Sequence, residues 1–125
     1  MNVIGVGVDI VEVARIEEAI KRFGDRFLKK IYTDTEIKYC NTGKVAYQHF
    51  AGKFAAKEAI YKTLNIDCVV KWTEIEVKNL KQGRPYIVLH GKVKKIAKEK
   101  NILSVLVSIS HIKTRAVASA VALIE

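Results

Sequence analysis

The sequence predicts an α+β domain: a mainly antiparallel sheet packed by one long central helix. After an opening apolar stretch, the first half repeats its apolar residues at helical spacing, whereas from residue 72 onward the period falls to two. Near the end, Ala116, Ala118, Ala120 and Ala122 share one face of the last strand, and side chains this small let a helix lie close to the sheet.

Residues 3–9 read as a buried strand ending at Asp9. Residues 11–23 follow as a helix, with Val13, Ile16, Ala19, Ile20 and Phe23 on one stripe and Gly24 beyond its end. Thr33, with Glu36 three residues on, is a capping-box pair that opens a short helix through Tyr39. A longer helix spans 45–64. In the second half, Trp72, Glu74, Glu76 and Lys78 alternate with Ile75 and Val77, and the turn 82–85 leads into a second strand over 86–90, a hairpin. Lys92, Lys94, Lys95, Lys98 and Lys100 crowd one helical segment. Its apolar side is Val93, Ile96 and Ala97, so the lysines read as a solvated face, with an anion-binding surface as the alternative. Strands over 102–110 and 116–124 complete the sheet.

At 125 residues the chain fits one domain, 1–125, with a single modest core. Cys40 and Cys68 lack CxxC or Cys/His ligand spacing, so neither a zinc site nor a disulfide framework is expected, and a reducing cytoplasm is the simplest location. The opening MNVIGVGVDIVEVARIE has no cationic start and carries Asp9 and Glu12 within its apolar stretch, unlike a signal peptide. No apolar run approaches the roughly 18 residues of a membrane helix, so a soluble protein with no membrane partner is expected. The formal charge of +9 suits a phosphate-bearing ligand, a nucleic acid or an acidic protein, and charge alone does not choose among them.

The chemistry concentrates in the long helix, at FAGKFAAKEAIYK. Phe50, Phe54 and Tyr61 mark an apolar edge, while Glu58 and Lys62 project from the stripe that carries Ala51 and Ala55. A carboxylate and an ammonium four residues apart can be an ordinary helix pair worth about 0.2–0.5 kcal/mol. The alanine surround supports the other reading, because it leaves room beside the pair for something phosphate-sized. Asp9 interrupts an apolar strand, where an unpaired buried carboxylate is costly. It reads as a cap for the following helix, as a group facing a cleft, or as both. Asp9 and Glu58 together suit magnesium, which takes one or two protein carboxylates, keeps several waters and completes its shell with phosphate oxygens. No GxGxxG or GxxxxGK[ST] loop competes for phosphate. His49 and His90 read as packing or surface residues. His111 follows a strand in SVLVSISH and, with the Ser110 hydroxyl, is either a structural loop residue or part of a site.

Gly7, Asp9 and Arg15 form GxD followed, six residues after the Asp, by Arg; FAxKEAxxK runs from Phe54 through Lys62; and WxxIEV, GxP and a serine-rich strand closing in SH occupy 72–77, 83–85 and 108–111. This ordered set resembles the holo-acyl-carrier-protein synthases, the small class of 4'-phosphopantetheinyl transferases, over nearly the whole chain. Any one element is common; the set in order is specific. The resemblance implies the 4'-phosphopantetheinyl transferase fold. It also implies transfer of the 4'-phosphopantetheine arm of coenzyme A to a serine of apo-acyl carrier protein, in support of fatty acid biosynthesis. Asp9 and Glu58 correspond to ligands of Mg2+, Lys62 to a lysine on the coenzyme A diphosphate, and Glu58 is the candidate acceptor of the serine proton. His111 joins Glu58 and Lys62 as a catalytic candidate. Ser110 and His111 match residues near the nucleotide and Gly83, Arg84 and Pro85 a loop beside the adenine, with Lys44 and Lys53 adding charge for the ligand phosphates.

Three positions depart from the family. Lys53 stands where Arg is common, giving up bidentate pairing. Asn65 stands where Gly is common, and asparagine also adopts the left-handed conformation. Ile112 replaces an acidic residue after the SH histidine, which leaves His111 without that support. Arg15 and Arg22, seven apart on the first helix, with Arg26 beyond Gly24, offer a positive ridge for an acidic carrier protein; solvated arginines are the alternative. Larger relatives hold two tandem copies with the site at their junction, so a single copy implies a site completed by another subunit; cyclic symmetry in general satisfies this, and the resemblance to the small class implies a homotrimer. A face containing Val105, Val107, Ile109, Val117 and Val121 is expected to supply the subunit contact or the helix bed. A basic nucleic-acid-binding module is the rival reading; it leaves Asp9 and Glu58 unexplained and lacks any RNA-reader signature, so no nucleic-acid partner is expected.

Overall fold

In the computed structural model all 125 residues are described. The chain runs β1 (Asn2–Glu12), α1 (Val13–Phe23), α2 (Asp25–Ile31), α3 (Asp34–Cys40), α4 (Ala46–Thr63), a 3-10 turn (Trp72–Glu74), β2 (Ile75–Asn79), β3 (Pro85–Leu89), α5 (Gly91–Glu99), β4 (Ile102–His111) and β5 (Arg115–Ile124). The α+β class holds, and every strand pairing is antiparallel. The strands form two sheets, β1-β5-β4 and the β2-β3 hairpin. No helix is long and apolar enough to cross a membrane.

Local chemistry explains most boundaries. Gly24 ends α1 at φ +58, its N–H reaching Ile20 O at 2.8 Å, and α2 restarts directly behind it, a seven-residue helix that the periodicity does not announce. The capping box forms as expected, with Glu36 N donating to Thr33 Oγ1 at 3.2 Å and Thr33 N to Glu36 Oε1 at 2.8 Å. β1 runs three residues past its expected end, so Asp9 lies within the strand, and Glu12 is the N-cap of α1 without a side-chain bond. The cap reading of Asp9 therefore falls away. Asn65 takes φ 51 after α4, and Lys100 Nζ closes that helix end by donating to Leu64 O at 2.7 Å and Asn65 O at 2.9 Å. On α5, Val93 and Ala97 are buried while Lys94, Lys95 and Lys98 are exposed, the arrangement of a solvated face.

The main sheet has one face built for a helix. Gly5, Gly7, Asp9 and Val11 of β1 pair with Ala122, Ala120, Ala118 and Ala116 of β5, and α4 lies on this inner face with Ala51, Ala55, Ala56 and Ala59 fully buried. A Cβ on Gly7 would meet Ala59 O and Thr63 Oγ1, so glycine permits the close approach. Val105, Val107 and Ile109 pair with Ala122, Ala120 and Ala118 and belong to the helix bed, whereas Val117 and Val121 lie on the opposite face. The five residues expected on one face are thus divided between two, because residues of odd number in β4 oppose residues of even number in β5. The outer face is apolar and open: Val6 is 72% exposed, Ile10 65% and Leu106 56%.

Candidate active site

α4 crosses the sheet obliquely. Its C-terminal end lies over β1, Thr63 against Gly5, and its N-terminal end over β4, Gly52 against Ile109. Two groups of functional side chains consequently sit on opposite flanks of the helix.

On the β1 flank, the strand supplies Asp9 and the helix supplies Glu58 and Lys62. Lys62 Nζ lies 3.2 Å from Asp9 Oδ1 and also donates to Val8 O at 3.2 Å. Burial pushes the Glu58 carboxyl above its usual range, the Asp9 charge pushes the same way, and Lys62 opposes both. A half-buried carboxylate with a second carboxylate beside it forms a natural cation site. No third His, Cys, Asp or Glu joins them. This hard, incomplete oxygen set fits magnesium, an ion that draws the rest of its shell from water and phosphate.

On the β4 flank, a cleft of about 140 Å³ is lined by Tyr39, Lys53, Asn79, Gly83, Pro85 and His111, among others. His111 Nδ1 is 2.7 Å from Gln48 Oε1, and its ring stands edge-on to His49 at 5.5 Å between centroids. Gly83, at φ +100, turns the chain into Pro85 and forms a wall. Lys53 is only 3% exposed; its Nζ donates to Val77 O at 2.5 Å and Asn79 Oδ1 at 2.6 Å and lies 4.7 Å from the Tyr39 ring centroid. Burial lowers its pKa from the ordinary lysine value.

The structure thus brings Asp9, Glu58 and Lys62 together at one place, and Lys53, Gly83, Pro85 and His111 at another. Ser110 does not join them. It pairs with Val117 on the outer face of the sheet, whereas His111 pairs with Ala116 on the inner one. Arg84 is exposed on the hairpin turn and Lys44 in the loop before α4. Arg15 lines a hollow of about 340 Å³ that also includes Ile16, Phe54 and Arg115. Arg22 lies 5.3 Å from the Phe23 ring centroid, and Arg26 belongs to α2, beside Phe27 and Lys30, so the three arginines span two helices.

Sequence reasoning passes over Tyr39, Gln48 and Asn79, whose types carry no motif, and reads His49 as a packing or surface residue, whereas it lines the cleft. It also passes over Lys57 and reads Glu36 only as a capping residue; both are fully buried and 2.9 Å apart. Lys57 donates to Ile75 O at 2.6 Å and Trp72 O at 3.1 Å, while Glu36 Oε2 accepts from Val77 N at 2.8 Å, so one ion pair ties α3, α4 and β2.

The chain belongs to the 4'-phosphopantetheinyl transferase superfamily, whose family model matches residues 5–120. Its branch is that of the holo-[acyl-carrier-protein] synthases. It is 44% identical to the holo-[acyl-carrier-protein] synthase of Koribacter versatilis over 121 residues, 95% of this chain and 97% of that one. Among solved structures, the holo-ACP synthase of Plasmodium yoelii superposes with a TM-score of 0.85 at 35% identity, covering 99% of this chain and 97% of the other. The Helicobacter pylori enzyme, solved in complex with coenzyme A, gives a TM-score of 0.83 at 33% identity over 94% and 99%.

Proposed function

We propose that the chain transfers the 4'-phosphopantetheine arm of coenzyme A to a serine of apo-acyl carrier protein, releasing adenosine 3',5'-bisphosphate. The observation that carries this reading is the convergence of Asp9, Glu58 and Lys62 from strand and helix in a member of this family. The serine oxygen forms a bond to the phosphorus joined to pantetheine as the bond from that phosphorus to the nucleotide breaks. Glu58, directly or through a water, accepts the serine proton. Lys62, half-exposed beside Asp9, donates to the diphosphate and offsets charge on the leaving nucleotide. Asp9 and Glu58 would hold magnesium, which when bound neutralises diphosphate charge. Gly83, Arg84 and Pro85 with His111 form the nucleotide side, and Lys44 and Lys53 contribute positive charge there. The same reading places the protein in the cytoplasm, serving fatty acid synthesis. Mass spectrometry of an apo-carrier protein incubated with the chain, coenzyme A and magnesium tests it. The carrier should gain one phosphopantetheine per molecule; an unchanged carrier mass overturns the reading.

The two half-sites lie on opposite flanks of α4 in one chain, and a shared-site homotrimer joins them: the carboxylate flank of one copy meets the His111 flank of the next. The open face carrying Val6, Ile10, Leu106 and Val117 supplies apolar contact area for such an assembly, and it is the face on which Ser110 lies.

Arg15, beside the hollow that includes Phe54, and Arg22 and Arg26 further along the helical layer receive the acidic carrier. Arg15→Glu is expected to raise KM for the carrier about tenfold or more in low salt, with KM for coenzyme A nearly unchanged and the difference shrinking as salt rises. Equal changes for both substrates in steady-state kinetics contradict a docking role.

A further inference from the structure

One wall of the β4-flank cleft is the β2–β3 turn, and a single side chain ties that turn to α4. Asn79 Oδ1 accepts from Lys53 Nζ at 2.6 Å, and Asn79 Nδ2 donates to Gly83 O at 2.9 Å. An ammonium has only donors, so the oxygen end of the amide must face Lys53 and the nitrogen end must face Gly83. The turn has two bonds of its own, Leu80 N to Arg84 O and Gly83 N to Leu80 O, each 2.8 Å. Both lie within residues 80–84 and leave the position of the turn relative to α4 open. The β2–β3 ladder, which closes at Asn79–Pro85, and the Lys53–Val77 bond place the base of the turn, and the Lys53–Asn79–Gly83 relay holds its tip. Lys53 is buried, its ammonium occupied by Val77 O and Asn79 and set against the Tyr39 ring, which makes it a fixed anchor.

We propose, resting on the transferase reading, that Asn79 is a positioning residue for the nucleotide half of coenzyme A: it couples the buried Lys53 to Gly83 and so holds the 80–84 turn at the width the nucleotide requires. Lys53 then serves the nucleotide largely through Asn79. Only an amide meets both partners. Aspartate at this position keeps the bond to Lys53 and sets a second acceptor against the Gly83 carbonyl, while serine keeps an acceptor near Lys53 and falls short of Gly83.

The test is calorimetric titration of the purified full-length chain with adenosine 3',5'-bisphosphate, alongside steady-state kinetics in both substrates. For Asn79→Asp the Kd of the bisphosphate and KM for coenzyme A are expected to rise together by about tenfold, with kcat and KM for the carrier held within about twofold. Asn79→Ser, which adds no charge, is expected to show the same split at a smaller size and serves where the aspartate variant does not fold. Wild-type nucleotide affinity in a folded variant overturns the inference, as does an equal rise in KM for both substrates with a fall in kcat. A wild-type chain that neither binds the bisphosphate nor modifies the carrier overturns the transferase reading and this inference with it; an active wild type with unaffected variants overturns the inference alone.

Discussion

Glu58→Gln is expected to lower transfer by about 10²–10⁴-fold while leaving a folded protein, the range that removal of a general base covers. Asp9→Asn should fall as steeply, because it takes one of two carboxylates from the magnesium site and frees Lys62 from its partner. The sign of the pH dependence follows from the role of Glu58 as base and ligand. Its working form is the carboxylate, so activity is lost as pH falls through its titration, which burial and Asp9 raise in the metal-free protein and a bound cation would lower. In metal-free protein, Asp9→Asn removes a like charge and should move the Glu58 titration down, whereas Lys62→Met removes a favourable charge and should move it up. Carboxyl NMR reads both shifts, and mass spectrometry of the carrier reads the activity. Wild-type rates in either carboxylate variant contradict the assignment.

The second large effect concerns stability. Lys57→Met should cost about 3–5 kcal/mol, because it strands the Glu36 carboxylate at zero exposure without its cation. Combining it with Glu36→Gln should recover part of the loss, since the second change removes the uncompensated charge. Urea midpoints of the two single variants and the double variant measure this cycle. A loss under about 1 kcal/mol in Lys57→Met would mean that the pair does not anchor α4.

The parts of the fold written in local chemistry are legible in the sequence. The Thr33–Glu36 box, the alanine face of β5 and the Val93–Ala97 stripe each depend on residues within a few positions of one another, and each forms as read. α2 is not legible, because seven residues show less than two turns of periodicity beyond a glycine stop. Lys53 and Lys57 mislead pattern reading, which sends lysines to water; here carbonyls of β2, the 3-10 turn and Glu36 satisfy them inside. The convergence of Asp9 with Lys62 is a contact 53 residues apart, beyond any local signal, and the family motif alone pointed to it. The separation of Ser110 from His111 was hidden by ending that strand at residue 110: β4 runs through His111, and neighbours in a strand face opposite ways. Which face was which required the β4–β5 register.

Opposite placement of the two half-sites across α4 makes the shared site the central claim. Its most direct test mixes two chains, one carrying Glu58→Gln and one carrying His111→Ala, each nearly inactive alone. After joint refolding and isolation of mixed assemblies, some interfaces join an intact carboxylate flank to an intact His111 flank. Carrier modification should then return to about a third of the wild-type rate, because a mixed trimer of either composition has one such interface in three. Mixed assemblies that stay as inactive as either parent would contradict a site divided between copies.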